Sequence, residues 1–104
     1  MKKYLGSVQV CGLTFKVYKA DVAGHAALEG NHGICYPTSR VIFLDAGTTN
    51  EFFDHILLHE VIHGIWAHSG IGTLNDGTDY EEQFIKIIVP HLIAAQASMK
   101  GLKR

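Results

Sequence analysis

Cysteine and proline are scarce, with two of each in 104 residues, and there is one tryptophan. Cys11 and Cys35 form neither a Cys-x-x-Cys pair nor the spacing of a zinc knuckle. That excludes a cysteine-built zinc site; the two could pair with each other, but in a reducing cytoplasm both read as free thiols, small and buried. Charge of neither sign dominates: nine Lys+Arg stand against ten Asp+Glu, a formal net charge of −1. A strongly basic nucleic-acid binder and an acidic tail are excluded, and Lys100, Lys103 and Arg104 make only a short basic tail. No apolar run approaches the roughly 18 residues that span a bilayer, so no membrane partner is expected. The opening Met1-Lys-Lys-Tyr-Leu-Gly6 has two cations, but Ser7, Gln9 and Thr14 interrupt any apolar stretch after them. A cleaved leader is not expected and a cytoplasmic location is. Linkers, repeats and low-complexity tracts are also missing, which leaves one domain over 1–104. What is plentiful is histidine, with seven.

The order of elements reads as strands followed by helices. Val8 and Val10, a Cys11-Gly12 break, then Leu13, Phe15 and Val17 predict a hairpin over 7–18. Asp21 to Gly33 is small and Gly-rich and reads as loop, with no role for His25 or His32. Ile34 to Tyr36 predicts a short strand stopped by Pro37, and Arg40-Val-Ile-Phe-Leu-Asp45 predicts a further one. Asn50 opens a helix in which Phe52, Phe53, Ile56, Leu57, Val61, Ile65 and Trp66 recur at spacings of three and four. Ser69 to Asp79 is a polar loop, and a second helix runs from Thr78 or Asp79 to about Met99, with a kink or break expected at Pro90. The fold class predicted is α+β, a small N-terminal antiparallel sheet packed on two helices.

Within the first helix stands His59-Glu60-Val61-Ile62-His63. Positions i and i+4 share a helix face, so both imidazoles reach one metal ion, and Glu60 beside that face can take a proton from water at the ion. His55 extends the stripe but lies about 12 Å along the axis from His63, too far for one ion to join all three. A catalytic zinc needs a third protein ligand, and His68, Glu81 and Glu82 are the candidates. His68 requires a helix break after His63, at Gly64. On the second helix the apolar residues Phe84, Ile85, Ile88, Leu92 and Ala95 centre near Glu81, and Glu82 lies about 90° round, on the flank. A ligand sits where core meets cleft, which favours Glu82, whereas Glu81 suits an inward hydrogen bond. Thr78-x-x-Glu81 and Asp79-x-x-Glu82 are both plausible capping boxes and leave the choice open.

The pattern resembles the gluzincin kind of zincin metallopeptidase, most nearly small phage-encoded zincin-like proteins and the metallopeptidase domain of the ImmA/IrrE family. The resemblance rests on Arg40-Val-Ile-Phe-Leu-Asp45, Leu57-Leu-His-Glu-Val-Ile-His-Gly64, and Glu81-Glu-Gln-Phe-Ile85 through Pro90-His-Leu92. It covers 34–92. Trp66 and Ser69 stand where the metzincin extension requires Gly and His, so that branch is excluded, and Lys86 stands where ImmA-like domains have Asn. The resemblance implies a zincin-like fold and Zn²⁺ held by His59, His63 and the flank carboxylate Glu82. It also implies Glu60 as general base, and a peptide or protein substrate paired to the edge of the Arg40–Asp45 strand.

The function expected is zinc-dependent hydrolysis of peptide bonds, with a zinc-retaining, non-catalytic interaction module as the alternative. Two His and one carboxylate also suit Fe(II), but Glu60 would then have no role. Tyr80, His68 and His91 are candidate oxyanion donors.

Overall fold

The computed structural model describes residues 1–69 and 79–102. Four strands come first: β1 (Lys2–Val10), β2 (Leu13–Ala20), β3 (Gly33–Tyr36) and β4 (Val41–Asp45). Two helices follow, α1 (Asn50–Ser69) and α2 (Asp79–Lys100). The class is α+β, with one sheet and the helices after it.

β1 and β2 form the predicted hairpin, turned at Cys11 and Gly12 with φ of 51° and 77°. Two successive positive φ values match the right-handed twist of the strands. Cys11 is therefore exposed at the turn, where a buried residue was expected, and Cys35 is half-buried. β1 also starts earlier than the alternation from Ser7 implies, pairing Lys2 with Ala20, with a bulge between Tyr4 and Gly6.

The sheet order is β1-β2-β4-β3, and it is not antiparallel throughout. β4 runs parallel to β2, with Lys16 opposite Val41 and Ala20 opposite Asp45, and antiparallel to β3. The reason lies in the 21–32 segment, which carries the chain from the end of β2 across one sheet face to the far edge. The β3–β4 hairpin then folds back and β4 inserts beside β2. Val41-Ile-Phe-Leu44 is apolar on both sides, as a central strand must be. This placement corrects the expectation that the Arg40–Asp45 strand offers an edge to a peptide: β4 has partners on both sides, and β3 is the edge strand. Arg40 belongs to the turn, at φ 58°.

Each sheet face has its own core. On one, Val10, Phe15, Val17, Ile42 and Leu44 are buried under Phe53, Ile56, Leu57, Val61 and Ile65 of α1. Gly64 lets the helix come this close, because a Cβ there would stand 3.1 Å from Val10 Cγ1 and 3.2 Å from Phe15 Cε2. On the other face the 21–32 segment is the lid. Its 3-10 turn Ala26–Leu28 buries Leu28 against Ala20 and Phe43. His25 stacks on Phe43 at 3.9 Å between ring centroids, and its Nε2 lies 2.7 Å from the Tyr36 hydroxyl. That gives His25 a packing role the Gly-rich composition did not disclose.

α2 packs on α1 through a third cluster, Ile85 and Val89 against Ile62, flanked by Leu58, Ile88 and Ile93. It runs unbroken through Pro90, so the helix does not end there. Proline removes the bond to the carbonyl four residues back, and both Pro90 and Lys86 are exposed, so water can satisfy that carbonyl. Thr78, the side chain of Asp79 and the Gly-rich stretch 70–78 lie outside the described residues, and so do Lys103 and Arg104 of the basic tail. No helix among the described residues is long and apolar enough to cross a membrane.

Candidate metal centre

A cleft of about 1040 Å³ opens between α1, the first turns of α2, and β3 with the residues just before it. His59 and His63 face into it from α1, and Glu81 and Glu82 from α2. Because α1 presents residues four apart on one face, the two imidazole centroids stand 5.1 Å apart. The Glu82 carboxylate lies across both: Oε1 is 3.0 Å from His59 Nε2, and Oε2 is 2.9 Å from His63 Nε2. One donor atom from each of His59, His63 and Glu82 falls within 4.8 Å of the others, an arrangement able to hold a metal ion.

Glu81 takes a different place. Its Oε1 is 3.2 Å from His63 Nδ1. With the Nδ1 proton donated to Glu81, the Nε2 lone pair of His63 is left pointing at the cleft, the usual way a carboxylate fixes a ligating imidazole. Adjacent residues on α2 thus make different contacts with one histidine because they are 100° apart on the helix.

Among the described residues Glu60 alone is charged and buried, at 7% exposed. It sits where α1 crosses the start of β3, and Gly33 makes the room: a Cβ there would lie 3.0 Å from Glu60 Cγ and 3.2 Å from its Oε2. Burial pushes the Glu60 carboxyl up to about 7, with the charge of Glu82 adding to the rise. His63 and a hydrogen bond from the Cys35 backbone oppose it. Burial also holds His59 below its ordinary value, helped by His63 and His55 and resisted by Glu82, which keeps its imidazole neutral and able to ligate. Cys35, also in the cleft wall, is pushed up to about 12 by burial and by the charges of Glu60 and Glu81. Its thiol stays protonated and is no nucleophile at neutral pH.

The remaining candidates fall elsewhere. α1 is unbroken through Gly64, so His68 points away, its Nε2 2.9 Å from the Pro37 carbonyl oxygen and its ring edge-on to Phe15. It pins the end of α1 to the turn after β3. Tyr80 and His91 are exposed on α2, and neither they nor His68 line the cleft. The other polar groups that line it are Asn31, His32, His55 and Lys86. Asn31 and His32 belong to the segment before β3, which carries no periodic signal in the sequence.

Two imidazole nitrogens and a carboxylate oxygen are a donor set that suits zinc. Three carboxylates converging on two imidazoles also form a centre with excess negative charge, which a divalent cation would relieve. Comparison with protein-family models, with curated proteins and with solved structures finds no match to this chain.

Proposed function

We propose that this chain is a zinc-dependent metallopeptidase of the gluzincin type. The observation that carries the reading is the Glu82 carboxylate lying 2.9–3.0 Å from Nε2 of both His59 and His63, with buried Glu60 on the adjoining face of α1. His59, His63 and Glu82 would hold the ion, and Glu81 would keep the His63 ring turned toward it. Zinc, when bound, supplies the Lewis acidity that brings the pKa of water to about 7 and polarises a carbonyl.

The chain's own groups do the rest. Glu60, held up to about 7 by burial, is matched to accept a proton from the attacking water and return it to a departing amine near neutral pH. β3 is the edge strand beside the cleft, and an extended peptide can add itself to such an edge. This favours a peptide over a compact small molecule as substrate. Lys86 and His55 line the same cleft and would meet the substrate on either side of the ligands.

The second reading, a zinc-retaining interaction module without turnover, draws on one observation: Tyr80, His68 and His91 all stand outside the cleft. The test is elemental analysis of protein purified without chelator, together with a cleavage screen on a proteome-derived peptide library. The peptidase reading expects about one zinc per chain and cleavage that disappears in Glu60→Gln while zinc is retained. Zinc without cleavage favours the module, and cleavage unchanged in Glu60→Gln would sink the peptidase assignment.

A further inference from the structure

The two ends of the metal cleft differ in charge. α1 and β3 run the same way along it: Gly33 lies against Ile56 and Glu60, and Pro37 lies at His68. α2 runs the opposite way, from Phe84 beside Trp66 to Met99 and Lys100, which share a groove with Asp54. Lys86, one turn after Glu82, is therefore carried toward the start of β3, where His55 stands one turn before His59. Asn31 and His32, which lead into β3, line that same end. Pro37, Trp66 and Ala67 line the other end, and none of them is charged.

The carboxylates of the cleft are already committed. Glu82 spans both imidazoles, Glu81 holds His63, and Glu60 is buried. Lys86 is the one Lys or Arg among the described lining residues, and it is exposed. Glu82 is one turn away on its own helix, but both oxygens of that carboxylate are turned to the histidines. Lys86 has no ion pair with any described residue. An ammonium on one wall, with imidazoles nearby and no carboxylate pointing at it, is a receptor for a carboxylate from outside.

The direction of a bound peptide places this receptor relative to the metal. Antiparallel pairing is the slightly more stable mode, so a peptide added to the β3 edge runs from Pro37 back toward Gly33. Its C-terminal half then lies at the Lys86 end. One helical turn separates Lys86 from Glu82 by about 6 Å, a distance that an extended strand covers in about two residues.

We propose that Lys86, with His55 on the α1 wall, binds a carboxylate of the peptide within about two residues C-terminal to the bond at the metal. That carboxylate is an acidic side chain or the C-terminus itself. This rests on the cleft being a peptide site and does not require turnover.

The test is retention of peptides by immobilised Glu60→Gln in buffer with zinc, read by mass spectrometry. Four libraries of acetylated octapeptides, randomised over uncharged residues, are compared. Three are amidated and carry Glu, Gln or Lys at one central position; the fourth is neutral with a free C-terminal carboxylate. The Glu library or the free-terminus library is expected to be retained about fivefold over the Gln library, the worth of a partly exposed ion pair, and the Lys library least. Retention of the Glu library assigns a side chain, and retention of the free-terminus library alone assigns the C-terminus; either supports the proposal. Lys86→Gln in the same background is expected to lose the preference, and Lys86→Glu to reverse it in favour of Lys, with circular dichroism unchanged. Lys16→Glu, the same change of charge on β2 outside the cleft, is expected to keep it. Equal retention of all libraries, a preference that survives Lys86→Gln, or one lost equally in Lys16→Glu overturns the proposal. If Lys86→Glu does not fold, Lys86→Gln alone carries the readout. Retained Glu peptides are then offered to the wild-type chain, and cleavage is expected one or two residues before the Glu; cleavage after it overturns the proposal. A carboxylate preference without cleavage upholds the proposal and sinks the peptidase reading, and cleavage without the preference does the reverse.

Discussion

Glu60 converts its burial into a pH dependence of folding. In the unfolded chain its carboxyl titrates at 4.5, and in the folded chain at about 7. Between those values the unfolded state has given up its proton and the folded state still holds it, so stability falls as pH rises through that window. The contribution is fully present below 4.5 and fully lost above 7. A difference of about 2.5 units at 1.36 kcal/mol per unit sets the whole loss at about 3 kcal/mol. Most of it falls between pH 5 and pH 8. At 7% exposure there is little solvent to screen the effect.

Glu60→Gln keeps the shape and an acceptor for the Cys35 amide but has no charge to titrate. In chelator, urea unfolding of the variant should show it more stable than wild type by about 3 kcal/mol at pH 8 and by less than about 1 kcal/mol at pH 5. For a domain this small, the gain at pH 8 amounts to more than 10 °C in melting temperature. His59 acts in the opposite sense. Its folded value is held below the ordinary one, so its contribution grows as pH rises toward the unfolded value of 6.5. The difference between wild type and Glu60→Gln cancels that background. Parallel pH profiles for the two proteins would refute the reasoning, because they would mean that Glu60 is not buried as a carboxyl.

Other expectations follow from the same geometry. Glu82→Ala removes one of the three proposed ligands and should abolish stoichiometric zinc binding in calorimetry, whereas Glu81→Ala, which frees only the His63 ring, should cost about 10–100-fold in affinity; the reverse order would disprove the assignment of the two carboxylates. Zinc at a hundredfold excess over its dissociation constant should stabilise the fold by about 2.7 kcal/mol, and a melting temperature indifferent to chelator would exclude the site. Gly33→Ala sets a Cβ 3.0 Å from Glu60 Cγ and 3.1 Å from Ile56 Cγ2, which should destabilise by about 1–3 kcal/mol; pairing it with Glu60→Ala in a double-mutant cycle should recover part of the loss, and strict additivity would count against the contact. His25→Ala forfeits the stack on Phe43 and the Tyr36 hydrogen bond, for about 1–2 kcal/mol by denaturant unfolding; an unaffected midpoint would mean that the lid is not held there.

The helices were legible because their apolar residues repeat at the helical period over about four turns in α1 and about three in α2, and the observed starts at Asn50 and Asp79 match that pattern. The sheet was legible strand by strand but not in its neighbours. Alternation reports which side of a strand is buried, not which strand lies beside it, so the insertion of β4 next to β2 left no local mark. The first residues of β1 were missed because Lys2 to Leu5 are exposed and held by backbone pairing, which has no side-chain signature. His25 and Leu28 were missed for a related reason: two isolated side chains among glycines and alanines have no period to read. At the site, helical geometry set His59 and His63 on one face and Glu82 on the flank of α2, and the structure brings these three together. The burial of Glu60 was not readable from α1, because it depends on Gly33 from a distant strand.

α1 is anchored twice, to the sheet through Ile56, Leu57 and Val61 and to α2 through Ile62, whereas α2 rests on α1 alone, through a few aliphatic side chains, the Trp66–Phe84 ring contact and the contacts of Glu81 and Glu82 with His59 and His63. Local opening follows anchorage, so α2 is expected to detach before α1, and Glu82 would travel with it. The two histidines would then remain on the rigid part of the molecule while the third donor comes and goes. Metal exchange in such a centre is set by the opening rate of one helix, and amide hydrogen exchange along α2 would slow when the ion binds, with that along the β2–β4 pair barely changed.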